Sequence, residues 1–193
     1  MKTLLVSGLV AGAVFGSLGV SPAMADPVAL IIKAGSFKLS DESQSISGIS
    51  LTFDDKASGV FGGELEWRTK ENVAFGAELL LYSNDWRSGV GTTGDNDTLA
   101  LMVNAKRYFA VSKNVFPFVG AGIGFTSVDF TGPGGSASGS DLAVQAMAGI
   151  EFRADKMGFY TEAKYLTSKP EDDFGAEINV TGVGLFAGLS ITF

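Results

Sequence analysis

Apolar and polar residues alternate along most of this chain, and this period of two limits the possible folds more than any other feature. Between residues 57 and 70, Phe61 and Trp67 occupy one parity, whereas Glu64 and Glu66 occupy the other. Successive side chains of a β-strand point to opposite faces, so the pattern predicts a strand with one apolar and one charged face. Eight such segments follow one another, over residues 29–39, 57–70, 73–81, 99–108, 119–125, 142–153, 159–165 and 183–193.

The connections between these segments alternate between short and long. Three are short (70–72, 110–114 and 154–158), and four are long, polar and rich in Gly, Ser, Asp and Asn (40–56, 83–97, 129–141 and 168–177). Short turns on one side and long loops on the other are typical of an up-and-down barrel in an outer membrane. The sequence therefore predicts an all-β fold, an eight-stranded antiparallel up-and-down transmembrane β-barrel with short periplasmic turns and long extracellular loops.

The first 25 residues have the pattern of an export signal. Lys2 is followed by an apolar run that ends at Val20, and Ala23-Met24-Ala25 has the small residues of a cleavage site. The apolar run is short for a membrane anchor, and no basic flank follows it. We predict a cleaved signal peptide over residues 1–25 and a barrel domain over residues 26–193. Cleavage removes Lys2 and changes the net charge from −7 to −8.

Alternation alone does not say which face of the strands points inward, and a soluble barrel would place its apolar residues inside. Three features favour apolar faces that contact lipid. Glycine recurs on the charged parity, which suits a narrow lumen. The chain also ends within the last predicted strand, which soluble barrels rarely need. Aromatic residues fall near strand ends, where an interfacial girdle is expected: Trp67, Phe109, Phe116, Phe118, Phe159 and Tyr165.

The charged parity of the strands supplies a balanced set of lumen charges. Five basic and five acidic residues belong to it: Lys33, Arg68, Lys106, Arg153, Lys164, Glu64, Glu66, Glu78, Glu151 and Glu162. Lys33 lies in the first segment, which alternates least clearly, and we place it on the inner face. An unpaired buried charge is costly, so we expect these residues to pair with one another. Glu64 or Glu66 is expected to pair across the lumen, with Arg68, Lys106 or Arg153 as partner.

The last strand resembles a known signal. Its outward residues Leu185, Leu189, Ile191 and Phe193 resemble the C-terminal signal of bacterial outer-membrane barrels, which the barrel-assembly machinery reads. The Gly-rich segment 117–124 resembles central strands of the OmpA-like and OmpX-like eight-stranded barrels. This resemblance implies the outer membrane of a Gram-negative bacterium as the location and outer-membrane lipid and the assembly machinery as partners. Functions in that family range over structural support, adhesion, serum resistance and small-solute passage.

The composition excludes several kinds of chemistry. The chain has no His and no Cys, which removes imidazole bases, thiol nucleophiles and thiolate metal sites. We predict no enzyme activity, no catalytic residues, no cofactor and no metal site, although the acidic clusters at 95–97 and 171–173 leave weak cation binding open. The negative charge disfavours nucleic acid. The acidic loops leave an unknown surface partner possible, and Trp86 is a candidate anchor for one.

Two classes of function remain for such a barrel. In the first, ion pairs plug the lumen, and the protein has a structural or surface-interaction role; we favour it because about eight strands leave an interior that side chains can fill. In the second, the pairs rearrange, and the barrel is a small gated channel or porin for ions or small solutes. A soluble periplasmic ligand-binding barrel is a more distant alternative.

Overall fold

A computed structural model describes residues 27–40, 43–46, 49–53, 58–88, 93–132, 135–172 and 179–193. These residues form eleven strands: β1 (Val28–Leu39), β2 (Ser43–Ile46), β3 (Ile49–Phe53), β4 (Ser58–Arg68), β5 (Val73–Ser88), β6 (Thr93–Tyr108), β7 (Val115–Gly132), β8 (Gly135–Ala154), β9 (Met157–Ser168), β10 (Glu171–Asp172) and β11 (Gly182–Thr192). Within these ranges, no helix is long and apolar enough to cross a membrane.

Eight of the strands close into an antiparallel barrel. β1 pairs with β11 on one side and with β4 on the other, and β5 pairs with β6 to complete the ring. The order around the barrel is β1, β4, β5, β6, β7, β8, β9 and β11. The eight-stranded antiparallel barrel predicted from the alternation is thus confirmed. The short strands β2, β3 and β10 lie outside this ring; β3 pairs with the end of β5, and β10 pairs with β8.

Two of the predicted long loops consist mostly of strand. β5 and β6 remain paired as far as Arg87 and Thr93, and β7 and β8 as far as Gly132 and Gly135. The prediction of loops over 83–97 and 129–141 is wrong to that extent. Ladder pairing satisfies backbone N–H and C=O groups whatever the side chains are, so a polar composition does not end these strands. Residues 1–26, with the predicted signal peptide, and the side chain of Trp86 lie outside the described residues.

The short turns lie together at the end of the barrel opposite the long connections. Residues 69–72, 109–114 and 155–156 connect β4 to β5, β6 to β7 and β8 to β9. Asn72 and Asp155 have left-handed backbone angles, with φ of 59° and 53°. Asn and Asp are the non-glycine residues that most often adopt this conformation, so these turns suit their sequence.

Burial follows the alternation along each strand. The apolar parity is exposed on the outer wall, as shown by Phe61, Leu101 and Leu185, which are 59%, 55% and 61% exposed. The charged parity faces the lumen and is buried. An exposed apolar wall around a buried charged interior is the reverse of a soluble barrel, and a lipid environment accounts for it.

The aromatic girdle differs from the prediction at two positions. Trp67, Phe109 and Phe159 lie outward and roughly half-exposed, as does Tyr165. Phe118, however, is buried in the lumen, and Phe116 packs against the same inner cluster. Both share the parity of the inward glycines of β7, so they face inward, and their position near a strand end was a misleading signal.

Candidate functional site in the barrel lumen

All ten charged residues assigned to the lumen lie on the inner side of the barrel. Nine are buried, whereas the side chain of Arg153 at the end with the short turns is 23% exposed. They come from six of the eight barrel strands: β1, β4, β5, β6, β8 and β9. Because inward side chains from opposite walls share a narrow interior, residues far apart in sequence come within contact distance.

Lys33 on β1 contacts three acidic residues of this network. Its Nζ lies 3.3 Å from a carboxylate oxygen of Glu64 and 3.4 Å from one of Glu162, and it also contacts Glu78. Lys164 on β9 contacts the same Glu78 oxygen and lies 3.3 Å from Glu162. Two lysines and three glutamates thus join strands β1, β4, β5 and β9.

Lys106 on β6 links this group to the acidic residues of β4. Its Nζ lies 2.7 Å from a carboxylate oxygen of Glu64 and 3.0 Å from one of Glu66. Glu66 also accepts a hydrogen bond from Arg68 Nε at 2.6 Å, within the same strand. The structure therefore places two of the three basic residues expected near Glu64 and Glu66 in contact with them.

Arg153, the third, contacts a different carboxylate. Its Nη2 lies 2.7 Å from Glu151 on its own strand, and Glu151 also receives Arg68 Nη2 at 3.0 Å. The guanidinium carbon of Arg153 lies 4.2 Å from the ring centre of Phe116 and 4.7 Å from that of Tyr108. Arginine therefore packs on aromatic faces at the end of the lumen with the short turns.

Neutral polar side chains complete the network, and most of them share the parity of the charges. Asn104 Nδ2 donates to Glu64 at 3.1 Å and to Glu78 at 3.0 Å, and Gln145 Nε2 donates to Glu78 at 2.7 Å. The hydroxyl of Tyr108 lies 3.0 Å from both oxygens of Glu66. The sequence places Asn104, Gln145 and Tyr108 on the inner parity but does not single them out as members of the site.

Two further members were missed. Ser190 Oγ donates to Glu151 at 2.5 Å, and Tyr160 hydrogen bonds to Glu162. Inward glycines supply the room for these contacts. A methyl group built at Gly76 would overlap the carboxylate of Glu64, and one at Gly158 would overlap the hydroxyl of Ser190. The glycine parity seen in the sequence therefore reflects close approach to the charged network.

A second, apolar layer of side chains lies in the lumen toward the long connections. Buried side chains from all eight barrel strands form it, and Val180, just before β11, joins them. Its largest members are Phe37, Leu80, Tyr82, Met102, Leu166 and Phe186. Phe37 and Tyr82 are in ring contact, with centroids 4.9 Å apart. No expectation from the sequence included this apolar layer. We refer to it as the apolar layer and to the charged network as the ionic layer.

The C-terminal residues singled out in the sequence face outward. Leu185, Leu189, Ile191 and Phe193 are 61%, 53%, 37% and 73% exposed. They form one apolar stripe on β11, beside β1 and β9. Within the described ranges, no group of three or more acidic side chains is placed to hold a metal ion.

A comparison with family models decides the assignment of the chain. The model for the outer membrane protein beta-barrel domain matches residues 11–190, nearly the whole sequence. The chain belongs to this family. As a member of the outer membrane beta-barrel family, it is a protein of the Gram-negative outer membrane, and the exposed apolar wall is its lipid-facing surface.

Solved structures of other outer-membrane proteins share this fold at low sequence identity. Neisserial surface protein A is 15% identical, with a TM-score of 0.66, over 86% of this chain and 97% of that protein. OprG from Pseudomonas aeruginosa is 13% identical, with a TM-score of 0.66, over 88% and 96%. Ail, the attachment invasion locus protein of Yersinia pestis, solved with the heparin analogue sucrose octasulfate, is 16% identical, with a TM-score of 0.54, over 88% and 100%. A comparison with curated proteins finds no matching sequence.

Proposed function

We propose that this family member is a closed barrel with a structural or surface-interaction role, whose lumen is blocked by the ionic and apolar layers. The observation that carries the proposal is the stacking of two side-chain layers across one narrow interior. In the ionic layer, five basic residues face five acidic residues in mutual contact, so an ion that enters would have to break pairs that neutralise one another.

The apolar layer supports the same conclusion from a different physical cause. Phe37, Tyr82 and Phe186 bring large rings into the interior, and they are 2%, 4% and 4% exposed. Water and ions lose their hydrogen bonds in such a layer, and a hydrophobic constriction excludes them without any charge. A permeating solute would therefore meet two barriers of opposite character.

The role at the surface is assigned to the acidic end of the barrel. Asp97 on β6 and Asp129 on β7 are cross-strand partners and both are exposed, and Ser83 Oγ donates to Asp97 at 2.6 Å. Adjacent carboxylates at this level give a negative rim that favours a cationic partner. Ail is solved with a polyanion, whereas the acidic rim of this chain is expected to repel polyanions.

Single-channel recording tests the closed lumen. The full chain is expressed in a Gram-negative host, purified from the outer membrane and inserted into planar bilayers. We expect no discrete conductance steps from protein whose insertion is verified by protease protection. Steady or gated steps would overturn the proposal and support the small-channel alternative.

Ligand binding tests the surface role. Cells that display the protein are expected to bind polylysine in a salt-sensitive manner and not to bind sucrose octasulfate. Asp97→Asn combined with Asp129→Asn should weaken polylysine binding, whereas Asp155→Asn at the other end of the barrel should leave it unchanged. Equal binding by all three proteins would argue against the acidic rim as the interaction surface.

Export and assembly belong to the same proposal. Cleavage after Ala25 and recognition of the β11 stripe by the assembly machinery would bring the chain to its membrane. N-terminal sequencing of the purified protein should begin at Asp26. Replacement of Phe193 by Ala should reduce the amount of barrel in the outer membrane, while Phe61→Ala, on β4 and separated from β11 by β1, serves as a matched control for the loss of one exposed ring.

A further inference from the structure

The outer wall carries a basic side chain at the end of the barrel with the short turns. Arg107 on β6 has the parity of the outward residues Leu101 and Val103 and is exposed. Its cross-strand neighbours are Val73 and Val119, which belong to the lipid-facing wall. A guanidinium in this position lies at the edge of the apolar wall, where a long side chain extends toward the membrane surface.

Contacts with a neighbouring turn hold Arg107 at this edge. Its Nη1 donates to the carbonyl oxygen of Glu71 at 2.5 Å, and the next residue, Tyr108, donates its backbone N–H to Asn72 at 2.8 Å. The turn between β4 and β5 is thereby fixed against the end of β6. One guanidinium nitrogen is occupied by a backbone carbonyl, and the planar fork offers further N–H donors toward lipid.

Two lysines lie in the turns on either side of Arg107. Lys70 precedes Glu71 in the turn between β4 and β5, and Lys113 lies in the turn between β6 and β7; both are exposed. We call Lys70, Arg107 and Lys113 the basic rim. The exposed carboxylate of Glu71 offsets one of its charges, which leaves a net positive site on this side of the barrel.

Exposed apolar side chains lie among these charges. Phe109 and Val111, in the turn after Arg107, are 48% and 65% exposed, and Phe75 on the adjacent strand is 52% exposed. Aromatic and basic residues together at one level are typical of the boundary between acyl chains and headgroups. The basic rim is therefore continuous with the lipid-facing wall at the end of the barrel with the short turns.

The geometry points to a binding site for an anionic phospholipid at the basic rim, with the phosphate on Arg107 and acyl chains along Phe75 and Val119. Arginine recognises phosphate through paired N–H donors, and each basic side chain near a membrane surface strengthens binding of anionic lipid. This inference rests on membership of the outer-membrane family and is independent of whether the lumen conducts.

Lipid retention tests the site. The full-length protein, purified from the outer membrane, is placed in bilayers of equal phosphatidylglycerol and phosphatidylcholine, and the lipids it retains are counted by native mass spectrometry. We expect a preference for phosphatidylglycerol that Arg107→Gln reduces about fivefold and that adding Lys70→Gln and Lys113→Gln abolishes. Lys156→Gln is the matched control, since this exposed lysine lies in another short turn, directly after the acidic Asp155.

Each outcome separates the site from simpler explanations. An unchanged preference in the triple variant, or an equal loss in Lys156→Gln, would overturn the proposal. Displacement of phosphatidylglycerol by millimolar inorganic phosphate would reassign the rim to a free anion. If the triple variant does not fold, as judged by heat-modifiable migration in gels, the single Arg107→Gln variant decides.

Discussion

Lys33 illustrates how one side chain organises the lumen. Its ammonium contacts Glu64, Glu78 and Glu162, which belong to three different strands. The apolar replacement Lys33→Met fills a similar volume but leaves three buried carboxylates with one fewer cation. Breaking a buried ion pair from one side costs about 3–5 kcal/mol, so the free energy of unfolding should fall by that amount.

Urea unfolding in lipid vesicles measures this change. Lys38→Met is the matched control, because Lys38 lies on the same strand with its side chain exposed. We expect the control to change the free energy of unfolding by less than about 1 kcal/mol. A similar small effect for Lys33→Met would show that the network contributes little to stability.

Substitution of a glycine on the inner face gives a second prediction for a single residue. Gly76→Ala would place a methyl group onto the carboxylate of Glu64, whereas the nearest atom to a methyl group at Gly63 would be the carbonyl oxygen of Ile31 at 3.5 Å. Gly76→Ala is therefore expected to destabilise the barrel by about 1–3 kcal/mol. Gly63→Ala should be neutral or slightly stabilising. Thermal unfolding of both variants distinguishes the two, and equal melting temperatures would contradict the close approach.

For single residues, the sequence predicted the face of the strand on which a side chain lies better than it predicted the residues that the side chain contacts. Parity alone placed Lys106 and Glu64 on one face, because the side-chain period of a strand is two. Parity did not predict that Arg153 would contact Glu151 on its own strand, because the residues that meet across the lumen depend on the register between strands. Phe118 was misplaced because its position near a strand end outweighed its parity.

The sequence predicted the type and order of the barrel strands but not the residues at which they end. The hairpins β5–β6 and β7–β8 continue through segments that composition marks as loops. Backbone pairing extends these hairpins, and Ser, Thr and Asp side chains tolerate it when their outward face meets water. Hydrophobic alternation reports the part of a strand inside the membrane, so it ends earlier than the strand does.

Closure of the barrel depends on β11, which pairs with both β1 and β9. Ala187 lies within it, exposed and paired with Ala34 and Thr161. Ala187→Pro removes a backbone donor from the ladder and should prevent closure. The measured result would be loss of the heat-modifiable band and of protease protection. Ala187→Val, which keeps the donor and adds lipid-facing surface, should behave as the wild type; normal folding of the proline variant would contradict a continuous ladder at this position.

For the whole molecule, the proposed closed lumen has two barriers in series, so removal of one should not open it. Glu78→Gln weakens the ionic layer, and Phe186→Ala leaves a void in the apolar layer. We expect each single variant to remain silent in planar bilayers and the combined variant to show small conductance steps. Conductance from Phe186→Ala alone would mean that the ionic layer does not block ions.

The sequence indicated the ionic layer but not the apolar layer. Charges on the inner parity of six strands predicted a filled, polar interior. The apolar layer escaped notice because each strand contributes only one or two of its members, such as Leu80, Met102 and Phe186. Their common level in the barrel is set by the stagger between strands, which periodicity along one strand does not report.

The ionic layer also bears on how the chain enters its membrane. Lys33 is 129 residues away in sequence from its contact Glu162, and Lys164 is 86 residues away from Glu78. A chain cut short before β9 would lack both Glu162 and Lys164, so Lys33 and Glu78 would each lose one ionic partner inside the membrane. Charged groups with fewer partners are costly inside a bilayer. We therefore expect a fragment that ends before β9 to accumulate in the outer membrane less than the complete chain does.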